Sequence, residues 1–502
     1  MSAAGPGWAG RRMTVLAPGL RVWRRALAAA LPLSLLAVLP ARAAAQPRNV
    51  ILILSDDHRY DFMGFMPGAP EWLETPALDR MAAEGAHVRN AFVTTSLCSP
   101  SRASILTGQY AHRHGVVDNT SPIPPGTTFF PEHLQRAGWR TAFIGKWHMG
   151  EDADDPRPGF DHWVSFRGQG VYVDPVLNVD GERRQVKGYT TDILTDFALE
   201  WLGRQATNGR QRPFLLILSH KAVHAEFVPA ERHAGRYRDA PIPYPATMAN
   251  TESNYRDRPR WVYEQRFGWH GVEYAYHGAL DFDTFYRRYA ETLLALDESV
   301  GRVLDHLKQS GLASSTLVIY MGDNGFSLGE HGLIDKRHAY EESIRIPMLA
   351  WAPGYIAPGS APPQLVRNID IAPTVLALAG VQPPGVMDGR SILPVLTGDV
   401  GEWDSELLYE YYWEYAFPHT PTTFALRGDR YKYITYHGVW DISELYDLET
   451  DPQEQFNLIH VPAHRERIAA MRDRLWDLLE ATDGMRVPVR RGNWQAAERK
   501  RP

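Results

Sequence analysis

A chain of 502 residues with 44% hydrophobic and 22% charged side chains can bury a large core and a second, smaller unit, and its scattered Pro and Gly argue against disorder. With 53 basic and 59 acidic residues the formal charge is −6, which excludes a general nucleic-acid or membrane-surface binder. The single cysteine, Cys98, excludes a disulfide-stapled architecture.

Residues 1–46 carry six arginines, no lysine and no acid. Arg21, Arg24 and Arg25 precede an apolar run, Ala26 to Pro40, and a small-residue stretch, Ala41 to Gln46. This is the pattern of a cleavable secretory signal, and the run is short for a membrane span and broken by Pro32. The expected protein is periplasmic or secreted with no stable membrane anchor. Losing the six arginines takes its formal charge from −6 to −12. An acidic enzyme of this kind holds an anionic substrate only in a locally basic pocket.

Asn49 to Leu54 is a continuous apolar run, as expected of a parallel strand buried on both faces. It ends in Asp56-Asp57, two adjacent carboxylates that need positive charge nearby. Pro76 to Glu84 has helical periodicity. Cys98 follows, with Ser99 expected as an N-cap and Pro100 at the first helical position, so that Cys98 sits at a helix N-terminus. Arg102 comes round one turn later, which makes this a place for an anion and a polar nucleophile.

Three more strands end in polar clusters. Thr141 to Ile144 leads to Gly145-Lys146-Trp147-His148, and in extended chain Lys146 and His148 share a side. Pro213 to Leu218 leads to Ser219-His220-Lys221-Ala222-Val223-His224. Thr316 to Met321 leads to Gly322-Asp323-Asn324-Gly325, with Asp335-Lys336-Arg337-His338 soon after, and Ile346 to Trp351 reads as a fifth strand. Helices are expected at Asp192 to Leu202 and Phe285 to Leu307. The aromatic, Arg- and Pro-rich stretch from Arg232 to Asp283 lacks periodicity and suits either sugar stacking or loop packing.

Alternating strands and helices predict an α/β fold, a large mostly parallel sheet sandwiched by helices, with its site at the carboxyl ends of the strands. Beyond a helix at Asn368 to Ala379 the pattern changes. Leu407 to Phe417 and Tyr431 to Thr435 are β-prone, and a helix is expected at about Ala463 to Ala481. The predicted organisation is a signal at 1–46, a catalytic domain at 47–398 and a small C-terminal domain of antiparallel sheet plus helix at 399–502, with a polar end from Arg490.

Asp56, Asp57, Asp323 and Asn324 offer oxygen ligands only, which suits Ca2+ or Mg2+ better than zinc. Arg102, Lys146 and Lys336 supply positive charge to an oxyanion; His148, His220 and His224 are candidate proton carriers.

Cys98-Ser99-Pro100-Ser101-Arg102, continued by Ala-Ser-Ile-Leu-Thr-Gly, resembles the signature of the formylglycine-dependent sulfatases of the alkaline-phosphatase-like superfamily, and the resemblance runs from Asn49 to about Ile459. It implies that a formylglycine-generating enzyme oxidises Cys98 to the aldehyde, whose hydrate is the nucleophile. Asp56, Asp57, Asp323 and Asn324, with the modified Cys98, would then hold the metal, and Arg102 would hold the nucleophile. Lys146 and Lys336 would bind sulfate, and His148 would be the base of the second step. His224 would stand beside the leaving group, although Val223 replaces the proline usual before it, so His220 stays as a second candidate. Arg167 to Tyr172 with Asp174-Pro175, and Asp335 to Ser343, are similar to members acting on sulfated amino sugars of glycosaminoglycans or mucins, N-acetylglucosamine-6-sulfatases above all. The expected substrate is a sulfated carbohydrate or small sulfate ester. The competing readings are a phosphomonoester or phosphodiester hydrolase on the same scaffold, and an inactive sulfated-glycan-binding protein.

Overall fold

The computed structural model describes residues 46–150, 153–208, 212–274, 280–383, 385–438 and 441–488. The leader, apart from Gln46, and the polar end from Arg490 lie outside the described residues. In chain order the strands are β1 (Asn49–Ser55), β2 (Ala86–His87), β3 (Asn90–Phe92), β4 (Arg140–Lys146), β5 (His162–Phe166), β6 (Val176–Val179), β7 (Glu182–Gln185), β8 (Phe214–Ser219), β9 (Thr316–Gly322), β10 (Met348–Trp351), β11 (Leu365–Arg367), β12 (Leu407–Tyr411), β13 (Thr422–Arg427), β14 (Tyr431–His437) and β15 (Glu444–Asp447).

The apolar runs form the middle of a nine-stranded sheet ordered β2-β10-β9-β1-β8-β4-β5-β6-β7. From β9 to β5 the strands are parallel; on each side follow two further strands, β10 then β2 and β6 then β7, each antiparallel to the strand before it. β1, β8 and β9 are buried throughout because both faces are covered. Side chains alternate between two cores: Val50, Leu52 and Leu54 face one, Ile51 and Ile53 the other. The second core is closed by α1 (Pro76–Glu84), the helix Thr190–Asn208 and the helix Phe282–Gln309, through Leu78, Leu194, Leu293 and Val300. The first is closed by α2 (Cys98–Thr107) and the helices Phe130–Arg136 and Ile371–Ala379, through Ile105, Leu134 and Val375. The Phe282–Gln309 helix starts earlier than its apolar face because Asp281 caps it, accepting from Thr284 N at 2.9 Å.

Register brings the functional ends level. Leu54 pairs with Ser219 on one side and Met321 on the other, so Asp56, His220 and Asp323 all emerge just past one edge.

Beyond Gly398, β12 to β15 make a four-stranded antiparallel sheet, with the helix Arg465–Ala481 packed on it through Leu475 and Leu479. β12 ends at Tyr411, short of the expected Phe417. This second sheet is tied to the start of α2: Glu410 N donates to Thr94 O at 2.9 Å, and Ser96 Oγ lies 2.6 Å from Tyr409 OH.

Candidate active site

Past β1 the chain turns at Asp57, which takes a left-handed φ of 56°. Asp57 N donates to Asp323 Oδ1 at 3.1 Å, and Asn324 Nδ2 donates to Asp57 Oδ1 at 2.7 Å. The ends of β1 and β9 thus hold each other's carboxylates. Gly325 is required directly after Asn324, because a Cβ there would meet Glu342 O at 2.1 Å.

α2 begins at Cys98, with Leu97 in extended conformation before it. Ser99 is not the expected cap. Its hydroxyl donates to the His148 carbonyl instead, and its Oγ lies 3.3 Å from His148 Nδ1. The extended-chain reason for grouping Lys146 with His148 also fails, since His148 has φ 58° just past β4. The two still meet at the site, through α2. Arg102, one turn into α2, bridges four strand ends. Its Nε donates to Asp323 Oδ2 at 2.9 Å, its Nη1 to Lys146 O at 2.8 Å and to Ser219 Oγ at 2.5 Å, and its Nη2 lies 3.4 Å from Asp56 Oδ2.

Two lysines close the cluster. Lys146 Nζ donates to Asp56 Oδ2 and to Gln169 Oε1. Lys336 Nζ donates to Asp57 Oδ1 and lies 2.9 Å from Cys98 Sγ, which is 3.5 Å from Asp56 Oδ1. His224 Nε2 stands 3.8 Å from Asp57 Oδ2. All these groups are buried except His224 and Gln169, which are half-buried.

Burial would raise the Asp56 carboxyl, but the adjacent cations, Lys146 foremost, hold it well below the usual carboxylate range. Asp57 goes the other way: burial pushes it up to about 6, with Lys336 opposing and Asp56 and Asp323 adding to the rise. Asp323 is raised too, by burial and then by Asp56. The oxygens of the three carboxylates lie within 4.8 Å of one another, and two of them, Asp57 and Asp323, stay raised despite the cations beside them. Asp57 Oδ2 and Asn324 Oδ1 are also buried without a hydrogen-bond partner. Orphaned oxygens in an all-oxygen donor set fit a hard divalent cation. A second group, Asp56, Cys98 and His224, has ligand atoms equally close together, so Cys98 stands beside the oxygen set.

Burial, then the charge of Asp56, pushes the Cys98 thiol up to about 12. As a plain thiol it is a poor nucleophile. Burial keeps both site histidines neutral, His148 with Lys146 adding to the fall and His224 with Lys336 adding to it.

Of the sequence-predicted residues, Asp56, Asp57, Cys98, Arg102, Lys146, His148, His224, Asp323, Asn324 and Lys336 come together. His220 does not. Ser219 sends its hydroxyl to the Arg102 side, so its successor points to the opposite face, where His220 Nε2 lies 3.0 Å from Ser299 Oγ in the Phe282–Gln309 helix. Burial pulls His220 down to about 3. Read from the sequence, Ser99 has only a capping role, and Lys221 and Tyr172 have no role of their own. Lys221 lies over the Tyr172 ring, 4.7 Å from its centroid, and Tyr172 OH donates to His224 O at 2.6 Å. Gln169 was noticed only within a matched run, and nothing in its spacing reports the contact with Lys146. The aromatic stretch from Arg232 divides in two. Trp261 and Tyr237 are packed, Tyr263 and Phe267 are exposed, and its last part braces the Lys336 segment, with Ile334 N donating to His270 O at 2.8 Å.

A family model described as Sulfatase matches residues 48–381, and one described as N-sulphoglucosamine sulphohydrolase, C-terminal, matches residues 329–481. This chain belongs to the sulfatase family. The sulfatase is 33% identical to the N-acetylglucosamine-6-O-sulfatase of Bacteroides thetaiotaomicron, across 88% of this chain and 87% of that one. It is 30% identical to the N-acetylglucosamine-6-sulfatase of Homo sapiens, across 84% and 80%. Its fold matches that of BT4656, solved in complex with its substrate D-glucosamine-2-N,6-O-disulfate, with a TM-score of 0.80 and 30% identity over 88% of this chain and 99% of that one. It is a sulfuric ester hydrolase on a mixed α/β scaffold.

Proposed function

We propose that this sulfatase removes the 6-O-sulfate of a glucosamine-type sugar in a glycosaminoglycan or mucin-type glycan, using Cys98 oxidised to formylglycine and a divalent cation, Ca2+ or Mg2+. The observation that carries the chemistry is the setting of Cys98. It opens a helix 2.9 Å from the Lys336 ammonium, yet its thiol is pushed up to about 12. The surroundings favour an anion, and the unmodified side chain cannot exploit them.

Asp56, Asp57, Asp323 and Asn324 would hold the cation, which when bound neutralises charge on sulfate oxygens and acidifies a neighbouring hydroxyl. The hydrate of the aldehyde supplies one hydroxyl to accept sulfate and a second whose proton loss expels it. Lys146 and Lys336 bind the sulfate oxygens and oppose the charge that builds on them. Arg102 keeps Asp56 and Asp323 in register with α2. His224, or Lys336, gives the departing alcohol oxygen its proton. His148, held neutral by burial, takes the second hydroxyl proton, with Ser99 fixing the chain at His148.

The 6-O-sulfated amino sugar follows from the named relatives, which match most of the chain. Export is inferred from the residue 1–46 pattern, and a formylglycine-generating enzyme is the implied maturation partner. Among the described residues no helix is long and apolar enough to cross a membrane. The test is sulfate release from glucosamine 6-O-sulfate against its 3-O isomer, and aryl sulfate against aryl phosphate. Release from the 6-O ester and preference for sulfate are expected. Preference for aryl phosphate would move the assignment to a phosphoester hydrolase.

A further inference from the structure

Three site cations are each matched by a carboxylate: Arg102 by Asp323, Lys146 by Asp56 and Lys336 by Asp57. Lys221 is different. It is only 5% exposed, and among the described residues its ammonium has neither a hydrogen bond nor an ion pair. Its described contact is the face of Tyr172. A cation–π contact offsets only part of the cost of taking an ammonium out of water. The three carboxylates already face three cations, so Lys221 is not needed to balance them.

The position of Lys221 is fixed by the site itself. Asp56 N donates to Ala222 O at 2.9 Å, and Val223 N donates to Asp56 O at 2.8 Å, which stitches residues 221–224 to the end of β1. His224 N donates back to Lys221 O at 2.9 Å, and Tyr172 OH holds the His224 carbonyl. Lys221, Tyr172 and His224 therefore make one wall, on the side assigned above to the leaving group. Burial, then Lys146, pulls the ammonium down to about 8, which leaves it mainly charged at neutral pH.

We propose that Lys221 binds a second anionic group, a sulfate or carboxylate, on the leaving sugar, and so gives the enzyme a preference for doubly anionic substrates. This rests on the sulfatase reading of the site, in which Lys146 and Lys336 serve the sulfate being cleaved. Lys221 is then a specificity residue whose partner arrives with the substrate.

The test uses the full-length mature enzyme and two probes, glucosamine 6-O-sulfate and glucosamine carrying both 6-O- and N-sulfate. The readout is the ratio of their kcat/KM values. Lys221→Gln is expected to lower the disulfated-to-monosulfated ratio at least tenfold, mainly through KM, and Lys221→Arg to restore most of it. An unmoved ratio, or an equal fall on both sugars, would overturn the proposal, the latter placing Lys221 on the scissile sulfate. Calorimetric titration of Cys98→Ala protein with the same sugars, with and without Lys221→Gln, separates this from the activity assignment. If wild type releases sulfate from neither sugar, the substrate reading fails by itself. The binding ratio still decides Lys221: a preference that Lys221→Gln abolishes supports the proposal, and no preference refutes it.

Discussion

Two buried clusters of charge lie a few residues apart in this sulfatase, and they are closed differently. At the strand ends, Asp56, Asp57 and Asp323 meet Arg102, Lys146 and Lys336, yet among the described residues Asp57 Oδ2 and Asn324 Oδ1 have no hydrogen bond and Lys221 has no ion pair. Under the second sheet, Lys432 Nζ lies 3.1 Å from Glu341 and 2.7 Å from Glu454, and Arg427 Nε lies 3.1 Å from Glu341. Glu454 Oε2 also accepts from Glu341 N at 2.7 Å. The second cluster pairs each of its cations with a carboxylate and fixes the segment carrying Lys336 to β13 and β14. The first is left open to groups that come from outside. Buried charge by itself does not mark an active site.

Substitutions should separate the two clusters. The largest effect is expected from Cys98→Ala, which should lower kcat by a factor on the order of 10⁴ or more while Tm stays within a few degrees. A steady-state sulfate-release assay beside a melting curve checks both halves. Lys432→Met should do the reverse. It strands Glu454 and leaves Glu341 with Arg427 alone, at a cost of about 3–5 kcal/mol, while kcat of the folded fraction stays within a few-fold. Denaturant unfolding measures the loss, and a fall in kcat matching that of Cys98→Ala would erase the distinction drawn here.

A smaller effect separates the clusters by ligand. Chelation should abolish turnover and lower Tm, and Ca2+ or Mg2+ at about 100 times Kd should return about 2.7 kcal/mol of stability to wild type. Asp57→Asn should blunt that gain, and Lys432→Met should retain it.

The smallest effect is in pH. Glu341 and Glu454 share Lys432, and burial, with the Glu341 charge adding to it, pushes Glu454 up to about 7 from an ordinary 4.5. A carboxyl raised in the folded state binds its proton more tightly there than in the unfolded chain. Its contribution is full below pH 4.5 and is lost as pH rises through about 7. Glu454→Gln should flatten the fall in Tm over that window, and an unchanged slope would count against a raised Glu454 carboxyl.

The open cluster was largely legible in the sequence, because buried parallel strands are continuous apolar runs and polar residues at their ends stand out. Asp56-Asp57, Lys146 and Asp323-Asn324 are visible in this way. Direction is not: Ile346 to Trp351 reads as another strand, and nothing in it reports that β10 (Met348–Trp351) runs antiparallel to β9. The sheet's outer strands are hidden for the opposite reason. Glu182–Gln185 is exposed throughout, so no apolar pattern marks it. His220 was misplaced because it and Ser219 point to opposite faces, and which face holds the site depends on Arg102, 117 residues earlier in the chain than Ser219. Lys221 is illegible because what sets it apart, burial with no ion pair among the described residues, exists only in the packed structure.

The most direct test of the central claim, that the open cluster is built around an oxidised Cys98, is the mass of the tryptic peptide Asn90 to Arg102 from protein made in its natural host. The account predicts the aldehyde or its hydrate at position 98. An intact thiol throughout, in a host that carries the modifying enzyme, would contradict it and leave a sulfated-glycan-binding protein in its place.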